Sequence, residues 1–142
     1  MKVIEGGWPA GATFESTFKG ERYSDWGAFQ EELEKIWFKT WLLAGREEEI
    51  PNPGDYMNLQ IGAESLICIR STNGTVNTFY NVCRHRGSRL CTAQSGHFSK
   101  GYIIGPYHSW MYSGDTGELL SAPNVPEDHQ GFDKEKHGLK RV

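Results

Sequence analysis

Two short segments of the chain carry the residues best suited to binding a metal. The first contains Cys83 and His85, one residue apart, and the second contains His108, three residues after Gly105. A [2Fe–2S] centre with two thiolates on one iron and two imidazoles on the other takes a Cys and a His from each of two loops. The first segment supplies such a pair, whereas Gly105 stands where the second would carry its Cys.

The elements that must position these segments read as short strands. After residue 40 the sequence consists of brief apolar stretches separated by turn residues, which is typical of β-structure. The Asn73-Gly74 pair favours a tight hairpin turn, and residues 114–117 predict a second turn. Both metal-binding segments follow predicted strands, so we expect them to be neighbours in space. The predicted strands are 41–44, 56–61, 65–70, 75–82, 102–104 and 109–112.

The N-terminal part has a different pattern. Residues 1–22 show little apolar periodicity and predict an extended arm. Residues 23–40 predict an amphipathic helix with one buried face, because apolar residues recur there at three- and four-residue spacing. Residues 41–142 form the predicted β-domain. The apolar positions of the helix are Trp26, Phe29, Leu33, Ile36 and Trp37.

Composition narrows the function classes. A chain of 142 residues has room for one modest domain, and a net charge of −3 argues against a nucleic-acid partner. No apolar run is long enough to cross a membrane and no signal peptide is evident, so we expect a cytoplasmic protein without membrane contact. Three cysteines without a secretory signal favour free thiols or metal ligands over disulfides.

The flanking residues extend the pattern beyond the candidate ligands. Residues 81–91 read NVCRHRGSRLC and residues 106–110 read PYHSW, and both resemble the cluster-binding segments of Rieske non-haem iron oxygenases. Residues 41–45 and 50–56 are also similar to the N-terminal domain of that family. Ser88 and Tyr107 stand near the places where respiratory Rieske proteins carry an additional disulfide, so the resemblance favours the oxygenases.

The resemblance implies a fold and a site. The fold is mainly β (α+β), a Rieske-type antiparallel β-sandwich with two cluster-binding loops and an N-terminal amphipathic helix. The cofactor is a [2Fe–2S] Rieske cluster held by Cys83, His85 and His108. Arg84, Arg86 and Trp110 flank it.

The resemblance also implies a role in electron transfer. The domain would receive electrons from a ferredoxin or reductase and pass them, with His108 as the exit, to a mononuclear Fe(II) in the catalytic domain of an aromatic ring-hydroxylating oxygenase. That domain is absent from this chain, which is expected to stop before the last strand of the Rieske domain, and the family often assembles as homotrimers of the alpha subunit. Arg84 and Arg86 either dock an acidic partner or are ordinary solvated arginines.

Gly105 leaves two further hypotheses open. With one thiolate in place of two, the cluster is expected to be labile. Cys83, His85, His108 and Cys91 could instead form a tetrahedral zinc site, or the chain could be a structural or assembly module without metal. Cys68 is expected in the core. His97, His129 and His137 lack motif partners and are expected to be exposed or structural.

Overall fold

The computed structural model describes residues 17–126, 129 and 131–142. Most of the predicted N-terminal arm, residues 1–16, therefore lies outside the described residues. The chain divides after Trp41 into two compact units, and each is described separately.

The first unit contains the predicted helix. A 3-10 turn at Gly20–Tyr23 precedes helix α1, Trp26–Glu32, which continues as one π-helical turn, Leu33–Trp37. Asp25 begins α1 as its N-cap, since its carboxylate accepts a hydrogen bond of 2.8 Å from the backbone N–H of Ala28. The helix is thus confirmed, but it is shorter than residues 23–40.

The apolar face of this helix is mostly exposed. Of its five predicted apolar positions only Leu33 is buried, and Trp26 retains 71% of its accessible surface. The expectation of one buried face is therefore wrong for the described structure. The periodicity predicted the helix correctly because it follows the helical repeat, but it does not determine what covers that face.

The second unit consists of two antiparallel sheets, which confirms the predicted β-sandwich class. The first sheet has the order β3-β2-β1-β4 and the second the order β5-β6-β7. Short 3-10 turns occur at Glu47–Glu49, Ser99–Gly101 and Lys134–His137. The strands are β1 Asp55–Ile61, β2 Glu64–Arg70, β3 Val76–Tyr80, β4 Ser95–His97, β5 Tyr102–Ile104, β6 Met111–Ser113 and β7 Leu119–Ser121.

The β2–β3 hairpin turns where the sequence predicts it. Gly74 has a φ of 87°, which a residue with a side chain rarely adopts, and its N–H donates to the carbonyl of Ser71 at 3.0 Å. The side chain of Asn73 accepts from the N–H of Thr75 at 3.0 Å. The predicted second turn is also present, since the N–H of Gly117 donates to the carbonyl of Ser113 at 2.8 Å.

One apolar core joins the two sheets to the candidate metal-binding segments. Its fully buried members include Ile67, Phe79 and Ile103, and the same cluster contains Cys83 and Trp110. The two segments are therefore anchored from beneath by the core. Cys68 is buried beside Ile50 and Met57, as expected.

Two strand predictions were wrong, and strands β4 and β7 were not predicted. Residues 41–44 form no strand. The last predicted strand begins at Met111 instead of residue 109, because Ser109 has a φ of 55° that interrupts extended backbone. Strand β4 was not predicted, because its pairing to β1 uses backbone groups of a polar, glycine-containing stretch. Within the described residues no helix is long and apolar enough to span a bilayer.

Candidate metal centre

Asn81 fixes the first metal-binding segment to the sheet. Its buried side-chain oxygen accepts from the backbone N–H groups of Leu90, at 2.9 Å, and Cys91, at 3.1 Å. Its amide nitrogen donates to the carbonyl of Cys91 at 2.7 Å and to the hydroxyl of Ser65 at 3.1 Å. A single side chain thus closes the loop from residue 81 to residue 91.

Inside this loop a tight turn directs Cys83 toward the core. The N–H of Cys83 donates to the carbonyl of Ser88 at 2.8 Å, and the N–H of Gly87 donates back to the carbonyl of Cys83 at 3.0 Å. Gly87 has a φ of 75°, which suits glycine. Cys83 is consequently 5% exposed, whereas Arg84 and Arg86 point to solvent.

The second segment is a loop closed between β5 and β6. The N–H of Gly105 donates to the carbonyl of Trp110 at 2.9 Å, and the N–H of Ser109 donates to the carbonyl of Gly105 at 3.1 Å. These bonds bury Gly105 and Trp110 at the base of the loop and raise His108 at its tip, where the imidazole is partly buried.

The two loops bring both imidazoles together. The rings of His85 and His108 lie 4.4 Å apart between centroids and are nearly perpendicular, at 88°. Nδ1 of His108 is buried and has no hydrogen-bond partner among the described residues. A buried polar atom without a partner is unfavourable unless a group from outside the chain meets it. This atom is therefore the candidate donor of His108.

The environment of His85 favours its neutral form. Burial lowers the pKa of His85, and the nearby His108 and Arg86 lower it further. A metal binds imidazole only when its donor nitrogen is unprotonated. The ring also stacks on Trp110, at 4.7 Å between centroids and 25° between planes.

Gly105 lies directly beside Cys83. A Cβ atom built on Gly105 would stand 3.3 Å from Sγ of Cys83, 3.6 Å from the carbonyl oxygen of Trp110 and 3.7 Å from a methyl group of Leu90. Two cysteine side chains that bind the same iron must lie this close to each other. The backbone thus places residue 105 where a second thiolate ligand would lie, and the residue there has no donor.

The structure adds residues that the sequence analysis did not single out. The phenol oxygen of Tyr112 lies 3.2 Å from Sγ of Cys83. Phe132 and His137 each meet the ring of Trp110 edge-on at 5.7 Å and stack on each other at 4.7 Å. The only sequence signal for this contact of Tyr112 was its place in a predicted strand four residues after His108.

Cys91 does not join these donors. Its Sγ lies 3.5 Å from the side-chain oxygen of Asn58, to which it donates. In the described part of the chain no three His, Cys, Asp or Glu side chains converge as a single metal ion requires. The four-ligand zinc site that includes Cys91 is therefore not favoured.

Of the other three histidines, His129 and His137 line the same cavity as His85. His97 is exposed and pairs with Asp55 at 2.8 Å, and His129 is exposed. Nδ1 of His137 donates a hydrogen bond of 2.7 Å to the carbonyl of Asp133.

The donor atoms fit a [2Fe–2S] cluster at three of its four positions. The imidazole pair of His85 and His108 suits one iron, and Cys83 would supply one thiolate to the other. The fourth position does not fit, because Gly105 has no side-chain donor.

Comparison with known proteins agrees with this arrangement. Residues 40–134 match the family model of the Rieske [2Fe-2S] domain. A glycine betaine monooxygenase oxygenase subunit from Pseudomonas aeruginosa is 40% identical over 120 residues, which are 84% of this chain and 27% of that protein. The large oxygenase component of a 2,4-dinitrotoluene dioxygenase system from Burkholderia is 41% identical over 121 residues, covering 84% and 26%.

Solved structures give the same result. A quaternary ammonium Rieske monooxygenase in complex with an inhibitor superposes with a TM-score of 0.79 at 34% identity, covering 88% of this chain and 34% of its own. A naphthalene 1,2-dioxygenase mutant bound to phenanthrene superposes with a TM-score of 0.76 at 34% identity, covering 85% and 27%.

The fold and the site therefore define a domain built to carry a cluster between two loops, and the chain belongs to the Rieske [2Fe-2S] domain family. Within that family it is homologous to the alpha subunits of ring-hydroxylating oxygenases. The chain spans about a quarter of the length of the curated relatives it matches.

Proposed function

We propose that this chain is the electron-transfer domain of an aromatic ring-hydroxylating oxygenase. The observation that carries the proposal is the convergence of the two loops, with the imidazole pair of His85 and His108 on one side and Cys83 beside position 105 on the other. Nδ1 of His108, which is buried and has no hydrogen-bond partner among the described residues, adds a free donor atom to the site.

Cys83, His85 and His108 would hold the cluster. When bound, the cluster accepts and releases one electron, and its histidine ligands give it a higher potential than all-cysteine clusters. The chain's own residues shape its surroundings. Trp110 stacks on one face of His85, and the hydroxyl of Tyr112 lies within hydrogen-bond distance of Cys83.

The proposed route begins and ends outside this domain. A ferredoxin or reductase delivers the electron, and His108 is the exit toward a mononuclear Fe(II) in a catalytic domain. The alpha subunits would form a homotrimer. The same proposal divides the chain into an extended arm, residues 1–22, a helical segment, residues 23–40, and the Rieske-like domain, residues 41–142.

Arg84 and Arg86 are the proposed contacts for the electron donor. Both are exposed and flank His85 in the chain. Their positive charge would increase the rate at which an acidic electron-donor protein associates, and this effect would weaken as the salt concentration rises.

The substrate belongs to the catalytic domain. The relatives are named for aromatic compounds, such as naphthalene and 2,4-dinitrotoluene, and for glycine betaine, at similar identity to this chain. We favour an aromatic substrate, in keeping with the dioxygenase relatives.

Reduction kinetics test the proposal. The chain with Gly105→Cys is loaded with iron and sulfide, and its reduction by a [2Fe–2S] ferredoxin and its reductase is followed by absorbance. We expect reduction that slows when Arg84 and Arg86 are changed to Glu, while Lys140→Glu, which alters another exposed cation, has little effect. A loaded protein that dithionite reduces but ferredoxin does not would refute the proposed donor. A protein that cannot be loaded would refute the domain's role.

A further inference from the structure

The imidazole of His85 takes its orientation from neighbouring rings. Arg84 and Arg86, on either side of it in the chain, are exposed and do not enclose it. The ring stacks on Trp110, at 4.7 Å between centroids, and stands nearly perpendicular to the ring of His108. It also borders an open cavity of about 420 Å³. Because the imidazole has this space beside it, it could rotate to other side-chain rotamers if the indole moved away.

Two rings from the C-terminal part of the chain support that indole. Phe132 and His137 stack on each other at 4.7 Å, and each meets the ring of Trp110 edge-on, at 5.7 Å and 76°. Edge-on contact is a favoured geometry for aromatic pairs. Trp110 is 3% exposed, and Phe132 packs against the core cluster that contains it. The indole therefore links the pair of Phe132 and His137 to His85.

The segment that carries these two rings is fixed by hydrogen bonds. Nδ1 of His137 donates to the carbonyl of Asp133 at 2.7 Å, and the carboxylate of Asp133 caps the following 3-10 turn by accepting from the N–H of Glu135 at 3.1 Å. Beyond this turn Leu139 is buried, and its N–H donates to the carbonyl of Gly117 at 2.7 Å. The supporting rings are thus tied to the turn between β6 and β7.

We propose that Phe132 and His137 are positioning residues. They hold the indole of Trp110, and the indole keeps the imidazole of His85 facing that of His108. The use of this arrangement rests on the proposed function, in which the imidazole pair holds one iron of the cluster. The orientation of the rings by packing belongs to the chain itself, so it can be measured without the cluster.

Ring-current shifts measure this support in the full chain. A proton over the face of an indole resonates upfield, so the ring protons of His85 report its stacking on Trp110. We would record them by NMR of the chain with isotope-labelled histidine at about pH 8, where ordinary histidines are neutral, and assign them with His85→Asn. We expect an upfield-shifted His85 signal in the parent chain, which moves toward the position of free imidazole in Phe132→Leu.

Three further variants separate positioning from general stability. Phe132→Tyr keeps the ring and should keep the upfield shift. His137→Asn keeps a side-chain hydrogen-bond donor but loses the ring, so it should lose part of the shift. Phe98→Leu removes a ring that packs against the same core but stacks on Tyr56, at 4.4 Å, and it should leave the His85 signal in place. Circular dichroism verifies the fold of every variant.

The outcomes separate this inference from the proposed function. Folded Phe132→Leu protein with the His85 signal of the parent, or an equal change of that signal in Phe98→Leu, would overturn the inference alone. If Phe132→Leu does not fold, His137→Asn decides by the same criterion. Failure of folded Gly105→Cys protein to load iron and sulfide would overturn the proposed function and leave the measured support of His85 unchanged.

Discussion

The phenol oxygen of Tyr112 lies 3.2 Å from Sγ of Cys83 and accepts a hydrogen bond of 3.0 Å from the backbone N–H of Arg84. Because the oxygen already accepts from Arg84, its own proton is free to donate to the sulfur. Burial, above all, and the contact with Cys83 raise the pKa of Tyr112, so the phenol keeps that proton. Tyr112 is thus a hydrogen-bond donor to the candidate thiolate ligand.

Replacing Tyr112 by Phe should lower the reduction potential of the loaded Gly105→Cys protein. A hydrogen bond to a ligand thiolate stabilises the more electron-rich reduced cluster, so its loss favours the oxidised form. We expect a decrease on the order of 60 mV, the one-electron equivalent of about 1.4 kcal/mol. Spectroelectrochemical titration measures it. Tyr107→Phe is the control, since that ring packs on His108 and is 67% exposed; equal shifts in both variants would contradict the assignment.

Asn81 should be needed for the shape of the first loop. Changing it to Ala removes the acceptor of two backbone N–H groups and the donor to a backbone carbonyl, all at a buried position. We expect the free energy of unfolding to fall by about 2–4 kcal/mol. Urea unfolding measures the change. Thr92→Ala alters an exposed residue that follows the same loop and should be nearly neutral; a neutral Asn81→Ala would show that the loop is held by other contacts.

The difference between the glycines at 105 and 114 can be measured as stability. A Cβ at Gly114 would lie 2.6 Å from the carbonyl oxygen of Gly101 and 2.7 Å from a methyl group of Ile69. Gly114→Ala should therefore destabilise the chain by about 1–3 kcal/mol, whereas Gly105→Ala should change its stability by less than about 0.5 kcal/mol. Comparable losses in thermal or urea unfolding would show that Gly105 is required by the fold after all.

The turn before β1 should give an acid-sensitive contribution to stability. The hydrogen bond from His97 lowers the pKa of Asp55, and so does the hydrogen bond from the backbone N–H of Asn52. A carboxyl group with a lowered folded pKa stabilises the protein above its unfolded pKa and loses that effect as pH falls through the folded value. The parent should thus lose stability between pH about 4 and 2 more steeply than Asp55→Asn.

Urea unfolding at several pH values compares these two proteins. Glu64→Gln removes a carboxylate at an exposed end of β2 and should keep the steep acid dependence of the parent. Parallel pH curves for Asp55→Asn and the parent would contradict the role of this ion pair.

The sequence predicted those parts of the structure that depend on local patterns. Strands β1, β2 and β5 appear almost at their predicted limits, because apolar and β-branched residues recur there. Strand β4 was missed since its pairing depends on backbone groups, with Gly96 leaving space for the ring of Tyr56. Single-strand patterns do not contain that long-range contact.

The residues of the candidate site were likewise predicted only in part. Cys83, His85 and His108 were identified from their spacing, and the loops place His85 beside His108 and Cys83 beside position 105. The stacking of Phe132 and His137 near Trp110 could not be predicted, because those residues reach the site from more than twenty positions away. The exposed helix face likewise depends on what packs against it, which periodicity does not reveal.

In the Gly105→Cys protein, His85 and His108 would bind one iron of the cluster, and Cys83 and the introduced cysteine would bind the other. Electron–nuclear double resonance of the reduced, iron- and sulfide-loaded Gly105→Cys protein measures this most directly. We expect hyperfine coupling from two imidazole nitrogens on one iron, with the coupling of one nitrogen lost when His108 is also changed to Cys. A cluster without strongly coupled nitrogen, or iron without acid-labile sulfide, would contradict it.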